Sequence, residues 1–346
     1  MSESYMAIKI YYYLTKLLPY PTPYKTLTTK KIIAIPVINN IEMDQIEERD
    51  ITVIVTDFNR LKYIHYALSS LSINGNAEII VVTNLDENTI KNNKVKTTYI
   101  YNKGKTYGDM IRVAIKESRG DILCFLEDDD IFYAHKLKYI KKLFNARRDL
   151  SYYHNSYFTI DYSGKIIGNF LNKEKITFNP FNSYSEVKRM MNRNVDHNLS
   201  SITVNKQYIN SKELDNLSNI NLSVDTYMFA ISVKEGTELI DDNKILTGYR
   251  VHNSTSNPDS KNSIQNPYLR LHKMYSEDYK FSSEMATNAY LKDFLYCRYK
   301  IERLYYSVYI KKHILENVTS LIPCIKYLDG TTLKNRSKMF KKEYKK

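Results

Sequence analysis

An α/β fold with a doubly wound, mostly parallel sheet is predicted by three features of this chain of 346 residues. The β-branched run Ile51-Thr52-Val53-Ile54-Val55 is followed by Leu61, Ile64, Ala67, Leu68 and Leu71 at helical spacing. A second run, Ile79-Ile80-Val81-Val82, and a later one, Ile122 to Leu126, repeat the apolar pattern with a helix before the latter. Uninterrupted apolar runs suit strands covered on both faces, and strand–helix alternation with short links implies parallel pairing.

The elements follow in order. Residues 1–48 form an aromatic-rich extension broken by Pro19, Pro21, Pro23 and Pro36. Within it Tyr5–Leu18 has amphipathic helical character and Lys31–Ile38 that of an isolated strand. After the first strand comes the turn Thr56-Asp57-Phe58-Asn59-Arg60, then the first helix. Lys96 to Tyr101 reads as a third strand, and Tyr107 to Ser118 as a helix through Met110, Ile111, Ala114 and Ile115 that stops at Gly120. Asp121 to Leu126 is the fourth strand. The second half changes character. Ser151–Ile160 and Lys165–Leu171 read as antiparallel strands around Ser163-Gly164, Ser183–Asn192 as a helix, Ser200–Val204 as extended, and Asp225–Lys234 as a helix. Beyond Pro258 the chain reads as mostly helical, with an apolar stripe through Leu291, Phe294, Leu295, Ile301, Leu304 and Val308.

Glu127-Asp128-Asp129-Asp130 closes the fourth strand. A buried strand cannot desolvate four carboxylates, because each uncompensated charge is costly. The cluster is expected where the strand leaves the sheet, and open α/β sheets place their ligands at that edge. Oxygen-rich settings suit Mg²⁺ or Mn²⁺, which in turn hold phosphate oxygens. A solvated turn is the plain alternative for the same residues.

Composition bounds the remainder. Hydrophobic residues make up 43% and charged residues 26%, enough for a full core. No apolar stretch has the length of a spanning helix, and the Tyr11–Leu18 segment, interrupted by Lys16, lacks the pattern of a signal peptide. Cys124, Cys297 and Cys324 fit no metal spacing. A cytoplasmic location follows as an expectation. The formal net charge is +13, and Pro267–Lys346 carries 17 Lys/Arg against 8 Asp/Glu. Such a basic tail can meet an anionic membrane, nucleic acid or an acidic partner, or be solvated. No zinc-finger or recognition-helix pattern accompanies it, so nucleic acid is disfavoured.

The segments TVIVTDFNRLKYIHYALSSL (Thr52–Leu71), AEIIVVTN (Ala77–Asn84), AIKESRGDILCFLEDDDIF (Ala114–Phe132) and YRVHNSTS (Tyr249–Ser256) together resemble family 2 glycosyltransferases of the GT-A fold, over about 200 residues. The resemblance implies a GT-A domain at residues 49–257, with nucleotide-binding and acceptor halves. It leaves an N-terminal extension at 1–48 and a basic helical region at 258–346. It also implies an inverting, metal-dependent transfer of a sugar from a nucleotide-diphosphate sugar to a hydroxyl acceptor, on a glycan or a lipid-linked glycan, with Mn²⁺ or Mg²⁺ as cofactor.

Carried over by position, Thr56 and Phe58 match the loop lying against the nucleotide base. An aromatic at 58 could stack on a flat heterocycle or close the turn into the core. Asn84 stands where the family usually has an aspartate for the base edge, and Asp86 could substitute or cap a helix. Lys105, Thr106 and Arg112 fall near the donor phosphates. Asp128 and Asp129 match the DXD-like pair, Asp128 for the donor ribose and metal and Asp129 for the metal. Asp225 matches the general base, and N-capping of the following helix is its structural alternative. Arg250 and His252 alternate along an extended segment, suited to the leaving diphosphate, and His252 also to the metal. The segment Asn253–Asn266 would be a loop able to order over the donor. His154 and His197 read as structural. By resemblance, the basic helices from Leu291 to Leu315 could rest peripherally on the inner face of an anionic membrane. A nucleotidyltransferase on a related sheet, and a non-catalytic basic adaptor on the same fold, are the alternatives. The first would need a glycine-rich loop after strand one, which Thr56–Arg60 lacks. The second would predict loss of the central acids.

Overall fold

The computed structural model describes residues 48–57, 61–73, 77–85, 90, 96–102, 106–171, 174–180, 183–251 and 267–327. Phe58, Asp86, Lys105, His252, the segments 5–18 and 31–38 and the loop 253–266 therefore lie outside the described residues. Arg49–Lys312 forms one compact unit, to which the following refers except where stated.

Strand β1 (Ile51–Asp57) is buried at all seven positions: its Ile and Val side chains fill both faces, and the polar Thr52, Thr56 and Asp57 each have a hydrogen-bond partner. Helix α1 (Leu61–Leu71) lays Ile64, Ala67, Leu68 and Leu71 on the sheet, and each such side chain contributes about 1–3 kcal/mol by leaving water. Strands β2 (Glu78–Thr83) and β3 (Thr98–Tyr101) follow, then α2 (Tyr107–Glu117) and β4 (Ile122–Glu127). These strands pair in parallel in the order β3-β2-β1-β4. The chain thus winds to one side of β1 and then crosses to the other, so the switch point lies between β1 and β4. In open α/β sheets, ligands sit at such a point, outside the carboxyl ends of the strands.

The short strand β5 (Ile131–Phe132) leads into α3 (Lys136–Ala146), β6 (Leu150–Ile160), β7 (Ile166–Phe170) and β8 (Ile176–Phe178). The hairpin β6–β7 is antiparallel as expected, and Gly164 takes the left-handed φ of +89° that its turn demands. Helix α4 (Tyr184–Met191) starts on Ser183, whose side chain accepts the Glu186 N–H. A 3₁₀ turn at Leu199–Ser201 runs into β9 (Ile202–Asn205). After it come α5 (Ser211–Asn216), α6 (Val224–Glu235) and β10 (Glu238–Arg250). Strand β9 pairs antiparallel with both β4 and β6, joining the parallel half to the rest of one ten-stranded sheet.

Strand β10, with β5 and β8 beside it, has no counterpart in the apolar pattern. It carries Asp241 and Asp242 in its buried middle, where neighbours compensate them. His154 Nδ1 lies 2.9 Å from Asp241 Oδ1, and Tyr139 donates its hydroxyl to Asp242 at 2.6 Å. His154 is fully buried in this pair, the structural role expected of it.

Helices α7 (Pro267–Met285) and α8 (Ala289–Ile310) pack on each other. Leu291, Leu295, Ile301, Leu304 and Val308 of the expected stripe are buried. No described helix is long and apolar enough to cross a membrane. In the other unit α9 (Ile314–Thr319) begins after His313, whose carbonyl accepts the Asn317 N–H.

Candidate functional site

The first wall of the site is the end of β1. Thr56 sits in register with Glu127 of β4, and Thr56 O accepts the Asp128 N–H at 3.1 Å, so the two strand ends stay joined as the acids begin. Thr56 Oγ1 lies 2.9 Å from the hydroxyl of Tyr107, which also donates to Glu127 Oε1 at 3.3 Å. Tyr107, on the first turn of α2, ties the end of β1 to the acids, and nothing in its local sequence pattern signals this. Asp57 is fully buried and accepts from Thr83 Oγ1 at 2.9 Å, locking the ends of β1 and β2. Asn84 lies just past β2, half-buried, and its Oδ1 has no hydrogen-bond partner among the described residues.

Of the weaker phosphate-side candidates, Thr106 caps α2. Its hydroxyl takes the Asp109 N–H and donates to Ser218 O, both at 3.0 Å. Arg112 pairs one turn along with Asp109 at 2.7 Å.

The four acids are not equivalent. A turn closes them, with the Asp130 N–H donating to Glu127 O at 3.1 Å. Asp128 and Asp130 are essentially inaccessible and Asp129 nearly so, while Glu127 is half-buried. Asp130 is committed inward: its Oδ1 accepts the Arg250 backbone N–H at 2.8 Å, and its Oδ2 is buried without a partner among the described residues. Burial, then the negative charges of Asp129 and Glu127, push the Asp130 carboxyl well above the usual carboxylate range.

Arg250 is brought to this turn by β10. Gly248 packs so closely on Ile131 that an added Cβ would approach its Cγ1 to 2.8 Å. The adjoining β5–β10 pairing places Arg250 beside the acids. Its Nε donates to Asp129 O and its Nη1 to Asp161 O, both at 2.7 Å, and the guanidinium lies over the Tyr63 ring at 4.8 Å.

Behind the acids, Ser200 Oγ accepts the Glu127 N–H at 3.0 Å. The Ser200 carbonyl takes a bond of 2.6 Å from Lys136, a fully buried lysine that also donates to Thr247 Oγ1 at 3.0 Å and lies 3.9 Å from the Phe132 ring centre. Burial lowers the Lys136 ammonium to about 7.

Ser200 belongs to the stretch Asp196–Ser201, whose other end reaches Asp225. The Asn198 backbone hydrogen-bonds to the Asp225 carboxylate, and Asp196 lies close enough to act on it electrostatically. Asp225 is the second residue of α6, and its Oδ1 accepts the Thr226 N–H at 2.8 Å. Burial and then Asp196 raise the Asp225 carboxyl to about 7, against the lowering effects of the Thr226 and Asn198 amides and the Arg298 cation. Asp196 Oδ1, Asn198 Oδ1 and Ser223 Oγ, on the segments flanking Asp225, are buried without partners among the described residues. One continuous stretch therefore connects the acid turn at the switch point to a carboxyl poised near neutrality. Asp196 and Ser200 were not picked from the sequence, because nothing in their local pattern signals contacts with residues 29 and 73 positions away.

Among the described residues no group of three or more His, Cys, Asp or Glu is placed to hold a metal ion. Asp128 and Asp129 are consecutive residues of the acid turn, both largely buried, and their carboxylates are hard oxygen donors. That matches Mg²⁺-type binding, which takes one or two carboxylates and completes its shell with phosphate oxygens and water.

Residues 52–212 match the family described as glycosyl transferase family 2. An uncharacterized glycosyltransferase of Rickettsia bellii is 25% identical over 138 residues, covering 37% of this chain and 20% of the relative. Another, from Rickettsia conorii, is 26% identical over 156 residues, covering 42% and 24%. The matches thus span about a fifth to a quarter of those relatives. Among solved structures, residues 1–349 of Staphylococcus aureus TarS in complex with UDP-GlcNAc superpose with a TM-score of 0.53 at 15% identity, over 74% of this chain and 73% of that one. The same TarS fragment in a second crystal structure gives 0.50 at 14% identity over 75% and 72%. At that identity the likeness is one of fold.

Proposed function

We propose, for a chain that belongs to glycosyl transferase family 2 through its residues 52–212, an inverting, metal-dependent glycosyltransferase. It moves a sugar from a nucleotide-diphosphate sugar to a hydroxyl of a glycan or lipid-linked acceptor. The observation that carries this reading is the pairing of an acid turn at the sheet's switch point with Asp225, a carboxyl raised to about 7, through the stretch Asp196–Ser201.

The residues divide the work as follows. The strand ends bearing Thr56 and Asn84 receive the nucleotide, and by the family resemblance Phe58, Asp86 and Lys105 also serve donor binding. Asp128 faces the ribose. Asp129 with Asp128, joined by His252, would hold Mg²⁺ or Mn²⁺, whose chemistry there is to neutralise charge growing on the departing diphosphate. Arg250 fixes the carbonyl of Asp129 and so the aim of its side chain, and places positive charge behind the diphosphate. Asp225 accepts the proton of the acceptor hydroxyl as its oxygen bonds to the anomeric carbon. The bond from that carbon to the diphosphate oxygen breaks, and its electron pair leaves with the diphosphate. Attack opposite the leaving group inverts the centre.

A base near 7 is matched to the task, since proton transfer is most effective when catalyst pKa and working pH coincide. The test is a thermal-shift screen of nucleoside diphosphates and their sugars with and without Mn²⁺, UDP-GlcNAc first. A ligand that binds the folded state raises the midpoint by mass action. A cation-dependent rise that disappears in Asp129→Asn supports the reading. No rise with any nucleotide at any cation concentration removes it.

A further inference from the structure

Helices α7 and α8 lie wholly beyond the matched residues 52–212, yet two of their charged side chains reach the segments that carry Asp225. Asp278 of α7 is fully buried. Its Oδ1 accepts the Asn221 backbone N–H at 2.8 Å and Asn221 Nδ2 at 2.9 Å. Its Oδ2 accepts the N–H groups of Leu222 at 2.7 Å and Ser223 at 2.9 Å. Four donors on one carboxylate hold the three residues that lead into α6, two positions before Asp225. A negative charge at that end also suits the α6 dipole.

Arg298 of α8 donates through Nη1 to Asp196 Oδ2, and its guanidinium lies 4.7 Å from the Phe294 ring centre and 5.5 Å from that of Tyr279. Thr226 bridges the pair, its hydroxyl donating to Asp196 Oδ2 at 3.3 Å while its N–H serves Asp225. Asp196 is buried and Asp225 half-buried, and the negative charge of Asp196 acts on Asp225, so a neighbouring cation is needed to offset it.

We propose that the α7–α8 hairpin is a working part of the catalytic site, with Asp278 and Arg298 as positioning residues. Asp278 fixes where the Asp225 carboxyl stands, and Arg298 keeps it available as a base. This inference rests on the assignment of Asp225 as base. The groups that face Asp225 are Asp196 from the loop after α4, Tyr152 from β6 and Arg298 from α8, with the amides of Thr226 and Asn198. Tyr279 of α7 faces Arg298 in turn. Removing the Arg298 charge leaves Asp196 and Asp225 to repel each other, so the titration of Asp225 must move to higher pH.

The experiment uses the full chain and the variants Arg298→Gln, Arg298→Lys and Asp278→Asn. Carboxyl ¹³C NMR follows the Asp225 titration, its signal located by its loss in Asp225→Asn, alongside kcat and donor KM against pH. In Arg298→Gln the Asp225 midpoint is expected to rise by about one pH unit and kcat at pH 6.5 to fall about tenfold, one unit being tenfold in the ionised fraction. Donor KM should stay within about twofold, since uniform binding is untouched. Arg298→Lys keeps the charge but withdraws it from Asp196 on a shorter side chain, so it should move the midpoint upward by a measurable amount, less than half as far. If Arg298→Gln does not fold, any upward movement in Arg298→Lys supports the inference and none overturns it. In Asp278→Asn kcat should fall about tenfold with donor KM unchanged, because only the acceptor side loses its aim. An unmoved Asp225 titration in Arg298→Gln, or equal losses of donor binding and kcat, overturns the proposal. Retained turnover in Asp225→Asn would instead remove the base itself.

Discussion

Arg250 and Asp130 bind each other through the backbone of one and the side chain of the other: the Arg250 N–H donates to Asp130 Oδ1 at 2.8 Å. The Arg250 side chain meanwhile turns back to the Asp129 carbonyl at 2.7 Å. A residue from the last strand thus clamps both final acids of the turn, although 120 positions separate it from Asp130.

Arg250→Ala should cost about 3 kcal/mol, since charge-assisted bonds to two carbonyls are lost while those carbonyls stay covered. The midpoint of thermal unfolding should fall by about 6–10 °C for a unit of this size. Arg250→Lys should recover less than half, because one ammonium cannot span both acceptors. Full stability in Arg250→Ala would show that the clamp contributes nothing.

Asp129 and Asp130 should separate on substitution. Asp130→Asn keeps an oxygen for the Arg250 N–H and removes a charge that burial and its neighbours disfavour. Turnover should remain within about threefold, and stability at pH 8 should rise by about 1 kcal/mol. Asp129→Asn should lower turnover at least about a hundredfold and abolish the response to Mn²⁺. The reverse ranking would reassign the cation ligand to Asp130.

Asp225 links activity to pH and to stability in opposite senses. Its carboxyl is raised in the folded state to about 7, so kcat should climb as pH rises through about 7. The unfolded chain ionises near pH 4, whereas the folded one holds its proton longer. Stability from this group is therefore present below pH 4 and is lost as pH rises through about 7. Asp225→Asn should lower kcat by about 10²–10⁴ while gaining about 1–2 kcal/mol at pH 8. Denaturant unfolding at pH 5 and 8 checks the second part, and equal gains at both values would contradict it.

Gly108 sits where α2 meets the loop before Asn221. Its N–H donates to Ile220 O at 3.0 Å, and an added Cβ would stand 2.0 Å from Leu217 O and 2.9 Å from Ile220 O. Both obstacles are backbone, so Gly108→Ala should destabilise by about 3 kcal/mol through overpacking. The same shift should loosen Tyr107 and hence the Thr56–Glu127 side of the site. A combined loss of stability and donor affinity is the expected result; loss of neither would show that the loop gives way freely.

The parallel half of the sheet was legible because its physics is local. A strand covered on both faces must be apolar at nearly every position, which Ile51–Val55, with Thr52 as its one polar residue, and Ile122–Leu126 show in their composition alone. The acids after Leu126 were legible for the same reason, since charge at the end of such a strand marks where it leaves the core. Strand β10 was not, because Asp241 and Asp242 read as surface until His154 and Tyr139 arrive to compensate them.

By itself, then, the sequence determined the strands of the nucleotide half and their parallel character, the position of the acid turn and, through the resemblance, Asp225 as a candidate base. Only the tertiary structure decided which acid turns inward to Arg250, that Tyr107 joins Thr56 to Glu127, and that Asp278 and Arg298 stand behind Asp225. The reason is one of range. Periodicity reports how a residue meets its own element's neighbours, whereas the role of a buried charge is set by whichever distant group pairs with it. In this chain the hydrogen bonds joining Asp278 to Ser223, Arg298 to Asp196 and Arg250 to Asp130 span 55 to 120 residues.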